Sequence, residues 1–201
     1  MSEPTVFIVD DDLAVARSLR WLIESVQLKV ETFASAQAFL DGYDAAKPGC
    51  LVLDVRMPGM SGIELQERLT AQRIGVPIIF ITGHGDVQMA VRAVQAGAFD
   101  FIEKPFNDQD LLDRMQRAIS FDSDRRVRDS QRARLSTLFA SLTTREREVM
   151  DLVVEGMSNK AVANTLGLSA KTVEVHRAKV MEKMNARSVS DLVKMSMLNN
   201  S

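Results

Sequence analysis

One cysteine, Cys50, is all that this 201-residue chain contains, which excludes an internal disulfide and a cysteine-built metal cluster. Long apolar runs are missing as well. Val76-Pro77-Ile78-Ile79-Phe80-Ile81 is among the longest, far from the ~20 residues that a membrane helix needs. Met1-Ser2-Glu3-Pro4 lacks the basic and apolar regions of a signal peptide, so a cytoplasmic setting without a membrane partner is expected. Hydrophobic content of 46% and charged content of 26% exclude a disordered or fibrous chain. The length admits one large domain or two small ones of roughly 100 residues each.

The net charge of −2 conceals an asymmetry. Residues 1–120 carry 11 Lys/Arg against 17 Asp/Glu, whereas residues 121–201 carry 14 against 10. An acidic front and a basic back point to two domains with different partners, the basic one suited to nucleic acid.

Thr5-Val6-Phe7-Ile8-Val9 is a β-rich run that ends in Asp10-Asp11-Asp12. Cys50-Leu51-Val52-Leu53 ends at Asp54, Ile78-Ile79-Phe80-Ile81 at Thr82, and Ala98-Phe99-Asp100-Phe101-Ile102 leads into Glu103-Lys104-Pro105. Leu28 to Phe33 alternates and reads as an edge strand. Between the runs lie helical stripes: Val15, Leu19, Leu22, Ile23, Val26; then Ile63, Leu65, Leu69; then Val87, Ala90, Val91, Val94, with Asp86 as N-cap. Strand–helix alternation over about 120 residues implies a parallel sheet covered on both faces.

In such a sheet, ligands bind outside the carboxyl ends of the strands. Asp10, Asp11, Asp54, Thr82 and Lys104 would all meet at that rim. Crowded carboxylates repel, and a hard divalent cation such as Mg²⁺, which takes a few carboxylates plus waters and phosphate oxygens, relieves this. A carboxylate can attack phosphorus to form an acyl phosphate, while a metal and a lysine steady the charge. Acidic strand ends also cap helices, but the joint set is hard to reduce to capping. Cys50 reads as a small core residue, and His84 as a loop residue, not a ligand.

Val9-Asp10-Asp11-Asp12, Leu53-Asp54-Val55-Arg56-Met57-Pro58-Gly59, Thr82-Gly83-His84-Gly85-Asp86 and Glu103-Lys104-Pro105-Phe106 resemble the receiver domains of two-component response regulators over roughly residues 4–121. The resemblance implies a CheY/flavodoxin-like fold, α/β with a doubly wound five-stranded parallel sheet. It implies that Asp54 accepts phosphate from the phosphohistidine of a sensor histidine kinase. Asp11, Asp54 and the backbone carbonyl of Arg56 would hold Mg²⁺ (or Mn²⁺), with Asp10 in the outer sphere. Lys104 would ion-pair with the phosphoryl group, Thr82 would hydrogen-bond it, and Phe101 would turn inward when that threonine moves. Lys104-Pro105 is a candidate cis peptide. Trp21 lies off the core stripe, aligned with Ala14 and Ser18. It reads as helix-edge packing or, with Pro105 and Phe106, as part of a kinase-docking surface.

Phe121 to Ser136 has few apolar residues and mixed charge, fitting a solvated helix or flexible linker. Beyond it the pattern is helical. Thr143 or Thr144 starts a helix stopped by Gly156, and Asn159–Leu166, the turn Gly167-Leu168-Ser169 and Ala170–Met184 read as a helix-turn-helix; Ser188 or Ser190 starts the last helix. On the longer helix Val173, Val180 and Met184 face the scaffold, opposite Lys171, Val175, Ala178, Lys179 and Glu182. Val175 and Ala178 suit thymine methyls, and Glu174 a cytosine amino group. Lys171, Lys179, Asn159 and Lys160 suit phosphates. Arg177 projects nearer the packing face than the groove and is kept as a DNA-binding candidate, with or without a base contact.

Leu142-Thr143-Thr144-Arg145-Glu146-Arg147-Glu148-Val149, Gly156-Met157-Ser158-Asn159-Lys160 and Ser169-Ala170-Lys171-Thr172-Val173-Glu174-Val175-His176-Arg177 resemble the LuxR-type DNA-binding domain over about residues 137–200. The whole chain resembles FixJ-type regulators of the NarL/FixJ group. The resemblance implies an all-α, four-helix domain, with Thr172 among the DNA-binding positions and His176 packed internally. The expected domains are 1–121, a charged helical linker at 122–136, and 137–201. Gln88 departs from the proline common in close relatives, and Ala178 from the basic residue in some, so DNA preference does not carry over.

The expected activity is a phosphorylation switch: the phosphorylated chain forms a homodimer and binds promoter DNA, with RNA polymerase a further partner. The surface at roughly 86–121, and Val189, Leu192, Val193 and Met197 of the last helix, are candidate dimer contacts; for the last group plain packing is the other reading. One alternative is a DNA-binding regulator whose receiver is a phosphorylation-independent dimerisation scaffold. An aspartyl phosphatase is disfavoured, because Asp54-Val55-Arg56 lacks an acid two positions on. The expected protein is a regulator, not an enzyme.

Overall fold

Apolar runs become strands here, and each of the inner strands stops where the chain first turns polar. The computed structural model describes residues 3–83 and 87–199. In chain order, β1 (Thr5–Val9), α1 (Leu13–Ser25), β2 (Lys29–Phe33), α2 (Ala36–Gly42), β3 (Gly49–Asp54), α3 (Gly62–Ala71), β4 (Ile78–Thr82), α4 (Val87–Gln95) and β5 (Asp100–Glu103) alternate strictly. The sheet order is β2-β1-β3-β4-β5 and every pairing is parallel. Parallel neighbours need helical crossovers, so both faces are covered. Accordingly β1 and β4 are buried throughout, while β2, at the edge, is half-wet as its alternation implies.

One face packs Phe7, Phe39, Leu53, Leu65 and Phe80; the other packs Ile8, Leu19, Ile23, Ile79, Leu111 and Met115. Cys50 is fully buried, and that burial pushes its thiol pKa up, as befits a core residue. Asp12 caps α1 by accepting from the amides of Ala14 and Val15, and Ser61 and Glu64 close a capping box on α3.

α5 (Asp108–Ala140) continues through the segment expected to be a linker. The chain divides into two compact units, residues 1–126 and 127–201, so the boundary falls within this helix. Asp122 is not solvated as its charged neighbourhood implied. It is fully buried in the first unit, accepts from the Gly49 amide at 3.0 Å, and pairs with Arg125 and Arg126.

In the second unit, α6 (Thr144–Val154), α7 (Asn159–Leu166), α8 (Ala170–Lys183) and α9 (Val189–Asn199) pack around Val149, Val162, Val173, Val180, Met184 and Leu192. Thr143, not Thr144, caps α6, and Ser188 receives the Asp191 amide at the start of α9. Gly167, at φ 65°, ends α7 in the left-handed region and lets the chain turn into α8.

On α4 the expected apolar stripe does not pack as a stripe. Val91 and Val94 are exposed, and Ala93 is the buried residue, its carbonyl accepting from Gln66 Nε2. The Asp86 cap, His84 and Gly85 lie outside the described residues, as do the side chains of Val87 and Ala90. No described helix is long and apolar enough to cross a membrane.

Candidate functional site

Sheet order reverses between β1 and β3, and the residues just past those two strands face the crevice where open α/β sheets bind ligands. Asp10 follows β1 and Asp54 ends β3. Lys104 follows β5 and reaches both: its Nζ lies 2.9 Å from Asp54 Oδ1 and 3.6 Å from Asp10 Oδ2. Asp54 Oδ2 accepts from the Arg56 amide at 2.8 Å, and Asp10 Oδ1 from the Asp12 amide at 2.8 Å.

Burial raises the Asp10 carboxyl above its ordinary pKa; the Asp12 amide and Lys104 oppose this, and the charges of Asp54 and Asp11 add to it. Burial works against charge on Lys104, but the hydrogen bond and charge of Asp54, with the charge of Asp10, hold its pKa above the usual lysine value. Lys104 therefore stays cationic and offsets part of the negative charge of the two carboxylates. The Lys104-Pro105 peptide is cis.

Asp11 is exposed beside this pair, and Asp12 is committed to capping. Thr82 is buried at the end of β4, its hydroxyl donating to the Gly83 carbonyl at 2.9 Å. Phe101 is half-buried against the core that contains Phe80. The rim thus gathers Asp10, Asp54 and Lys104 directly, with Asp11, Thr82 and Phe101 around them.

In the second unit, Lys171, Glu174, Val175, Ala178 and Lys179 are all exposed along α8, while Val173 and Val180 are buried. Half of Val175 is solvent-accessible. Thr172 is half-buried and shares a 2.7 Å hydroxyl contact with Ser169, the α8 cap. Lys160 is exposed on α7. Arg177 and Asn159 are both half-buried and joined, Arg177 Nη1 donating to Asn159 Oδ1 at 2.8 Å. His176 is half-buried, consistent with packing within the unit.

Residues 6–116 match the response regulator receiver domain, and residues 140–196 match the bacterial regulatory proteins of the luxR family. The chain belongs to the NarL/FixJ family of response regulators. Nodulation protein W of Bradyrhizobium diazoefficiens is 50% identical over 193 residues, covering 95% of this chain and 84% of that one. The transcriptional regulatory protein FixJ of the same organism is 44% identical, covering 96% and 94%. Among solved structures, the response regulator StyR is 48% identical with a TM-score of 0.90, covering 98% and 99%. This regulator is therefore a DNA-binding two-component response regulator, of a family of transcription regulators.

Receiver domains generally bind Mg²⁺ at the phosphorylation site, and the donor chemistry of this receiver fits such an ion. Asp10 Oδ2 is buried and receives no hydrogen bond, an open acceptor at the rim. The surrounding donors are oxygens. Among the described residues no three His, Cys, Asp or Glu side chains form a closed metal cage, whereas Mg²⁺ keeps several waters and needs few carboxylates.

One receiver residue, Gly62, escaped the sequence reading, and one reading of Trp21 is corrected. Gly62 opens α3, and a Cβ there would stand 2.3 Å from the Asp54 carbonyl oxygen, so only glycine fits beside the end of β3. Trp21 is 78% exposed, so the helix-edge packing reading does not hold. Ala14, Ser18, Pro105 and Phe106 do line one groove, of about 480 Å³, but Trp21 is not part of its lining.

Proposed function

We propose that Asp54 accepts a phosphoryl group from a sensor histidine kinase, after which the receiver dimerises and the LuxR-type domain binds promoter DNA. The observation that supports this best is Lys104 bridging Asp54 and Asp10 at the mouth of the β1/β3 crevice. An Asp54 oxygen attacks phosphorus, the P–N bond to the kinase histidine breaks as the O–P bond forms, and an acyl phosphate results. Lys104 then exchanges its Asp54 contact for the phosphoryl oxygens, and the Arg56 amide holds the acceptor carboxylate in line.

Asp11, Asp54 and the Arg56 carbonyl would hold Mg²⁺ (or Mn²⁺), with Asp10 acting from the outer sphere. Bound there, the ion neutralises negative charge on the transferring group. The Thr82 hydroxyl leaves the Gly83 carbonyl for the phosphoryl group, and Phe101 follows into the vacated space. The exposed Val91 and Val94 on α4 give the neighbouring surface apolar area to bury in a dimer. On α9 the candidates divide: Leu192 is core and Val189 packs against that core, while Met197 is 65% exposed.

Dimerisation brings two α8 helices to successive major grooves, ~34 Å apart. Val175, Ala178 and Glu174 face base edges; Lys160, Lys171 and Lys179 face phosphates, with Thr172, Asn159 and Arg177 at the flank. RNA polymerase is the further partner at a promoter, and the protein works in the cytoplasm as a regulator, not an enzyme.

The test is intact-mass spectrometry after incubation with acetyl phosphate and Mg²⁺. The wild-type chain gains one phosphoryl group, Asp54→Asn gains none, and chelation abolishes the gain. An unmodified wild type, or equal labelling of the variant, would leave only a receiver that serves as a scaffold.

A further inference from the structure

Half-buried cations of the second unit usually have a carboxylate at hand. Lys183 pairs with Glu146 and Arg145 with Glu148. Arg177 does not. Its one recorded partner among the described residues is the neutral amide oxygen of Asn159, at 2.8 Å. A guanidinium has five donors, and a neutral acceptor takes one of them without cancelling the charge. Its other donors are left to solvent or to an anion from outside the chain.

Position on α8 says which outside charge. At about 100° per residue, Arg177 lies about 130° around the helix from the Val175/Ala178 line. It therefore lies off the groove-facing side, on the flank that packs toward α7. Its tether, Asn159, is the first residue of α7. In a helix-turn-helix that first helix crosses the sugar-phosphate backbone while the second enters the groove. An arginine held on that flank has its open donors where a backbone phosphate passes. The tether also removes rotamer freedom before DNA arrives, so less entropy is lost on binding.

We propose that Asn159 and Arg177 act as one phosphate-holding unit that fixes the register of α8 on the duplex and reads no base. Arg177 supplies the charge; Asn159 is the positioning residue. This rests on the DNA-binding reading above and assigns the pair a role within it.

The experiment uses the full chain and fluorescence anisotropy over a salt series. Two duplexes serve as probes: one selected by the wild-type chain from a random pool, and one scrambled duplex of equal length. Arg177→Ala should weaken both by the same factor, about eightfold at 0.1 M salt, and lower the salt slope by about one per bound protomer. Asn159→Ala keeps the charge and hence the slope, and weakens both duplexes by a smaller common factor. In the double variant Asn159→Ala should cost nothing further. Arg177→Lys should recover the slope but not the full affinity. Thermal melts establish that each variant folds; should Arg177→Ala not fold, Arg177→Lys and Asn159→Ala decide. A loss confined to the selected duplex would make Arg177 a base reader and overturn the proposal, as would additive losses in the double variant. A wild-type chain that selects and holds no duplex would overturn the DNA-binding reading as well.

Discussion

The Gly49 amide donates to Asp122 Oδ2 at 3.0 Å, joining the start of β3 to a point on α5 that lies 73 residues further along the chain. Asp122 is fully buried, and Arg125 and Arg126 both pair with it, Arg126 also donating to the Lys47 carbonyl at 2.8 Å. Asp122→Ala strips the acceptor from two partly buried cations and one amide, and should destabilise the first unit by about 3 kcal/mol. Native-state hydrogen exchange at Gly49 and Cys50 would show this as faster exchange by about two orders of magnitude. Unchanged exchange would mean that the node contributes nothing to the fold.

Gly62→Ala should damage phosphorylation out of proportion to its size. The added Cβ must push aside the Asp54 carbonyl oxygen, 2.3 Å away, in a spot also crowded by Leu53 and Phe80. The expected cost is about 1–3 kcal/mol of stability, as for overpacking elsewhere. Phosphoryl uptake from acetyl phosphate should slow in a variant that is still folded by circular dichroism. Uptake at the wild-type rate would show that the acceptor tolerates displacement.

Acid should loosen the second unit through Glu146. Lys183 donates to its carboxylate at 2.6 Å and the Thr143 amide at 2.8 Å, and these bonds lower its pKa from 4.5 to about 2. A depressed folded-state pKa means that the stabilisation is complete above pH 4.5 and is lost as pH falls through about 2. Thermal midpoints of wild type and Glu146→Gln should therefore differ most above pH 4.5 and converge toward pH 2. A constant gap across that window would place the effect of the substitution elsewhere.

Trp21 is 78% exposed, so its removal should leave the melting curve within about 0.5 kcal/mol of wild type. If that face of α1 receives the kinase, Trp21→Ala should lower kcat/KM for transfer from the cognate phosphorylated kinase about tenfold, as loss of an exposed aromatic anchor does. Uptake from acetyl phosphate should not change. Equal kinase transfer would remove Trp21 from the docking surface.

The rim was legible because each inner strand reads as a short apolar run, and the residue that ends it is polar by necessity at that depth. Asp10, Asp54 and Thr82 could thus be placed from one-dimensional pattern alone. The helix-turn-helix was legible for a similar reason: Ser158, Gly167 and Ser169 are local signals. Asp122 was not legible. Arg125 and Arg126 stand three and four residues on, but the partner that draws Asp122 into the first unit is the Gly49 amide, 73 residues away, which no spacing along the chain announces. The Asn159–Arg177 pair is likewise tertiary, formed across 18 residues of sequence. On α4 the apolar periodicity was real, but Val91 and Val94 point to solvent, which a pattern cannot distinguish from a core. Gly62 carried no signal beyond its place in a glycine-containing turn.

The central claim is that phosphate on Asp54 changes how many copies of the chain assemble. Sedimentation velocity with Mg²⁺, with and without acetyl phosphate, tests it directly on wild type and Asp54→Asn. The account predicts that the donor shifts wild type to a dimer and leaves the variant unmoved. A wild type that carries phosphate on Asp54 yet sediments as before, or a variant that dimerises equally, would contradict it.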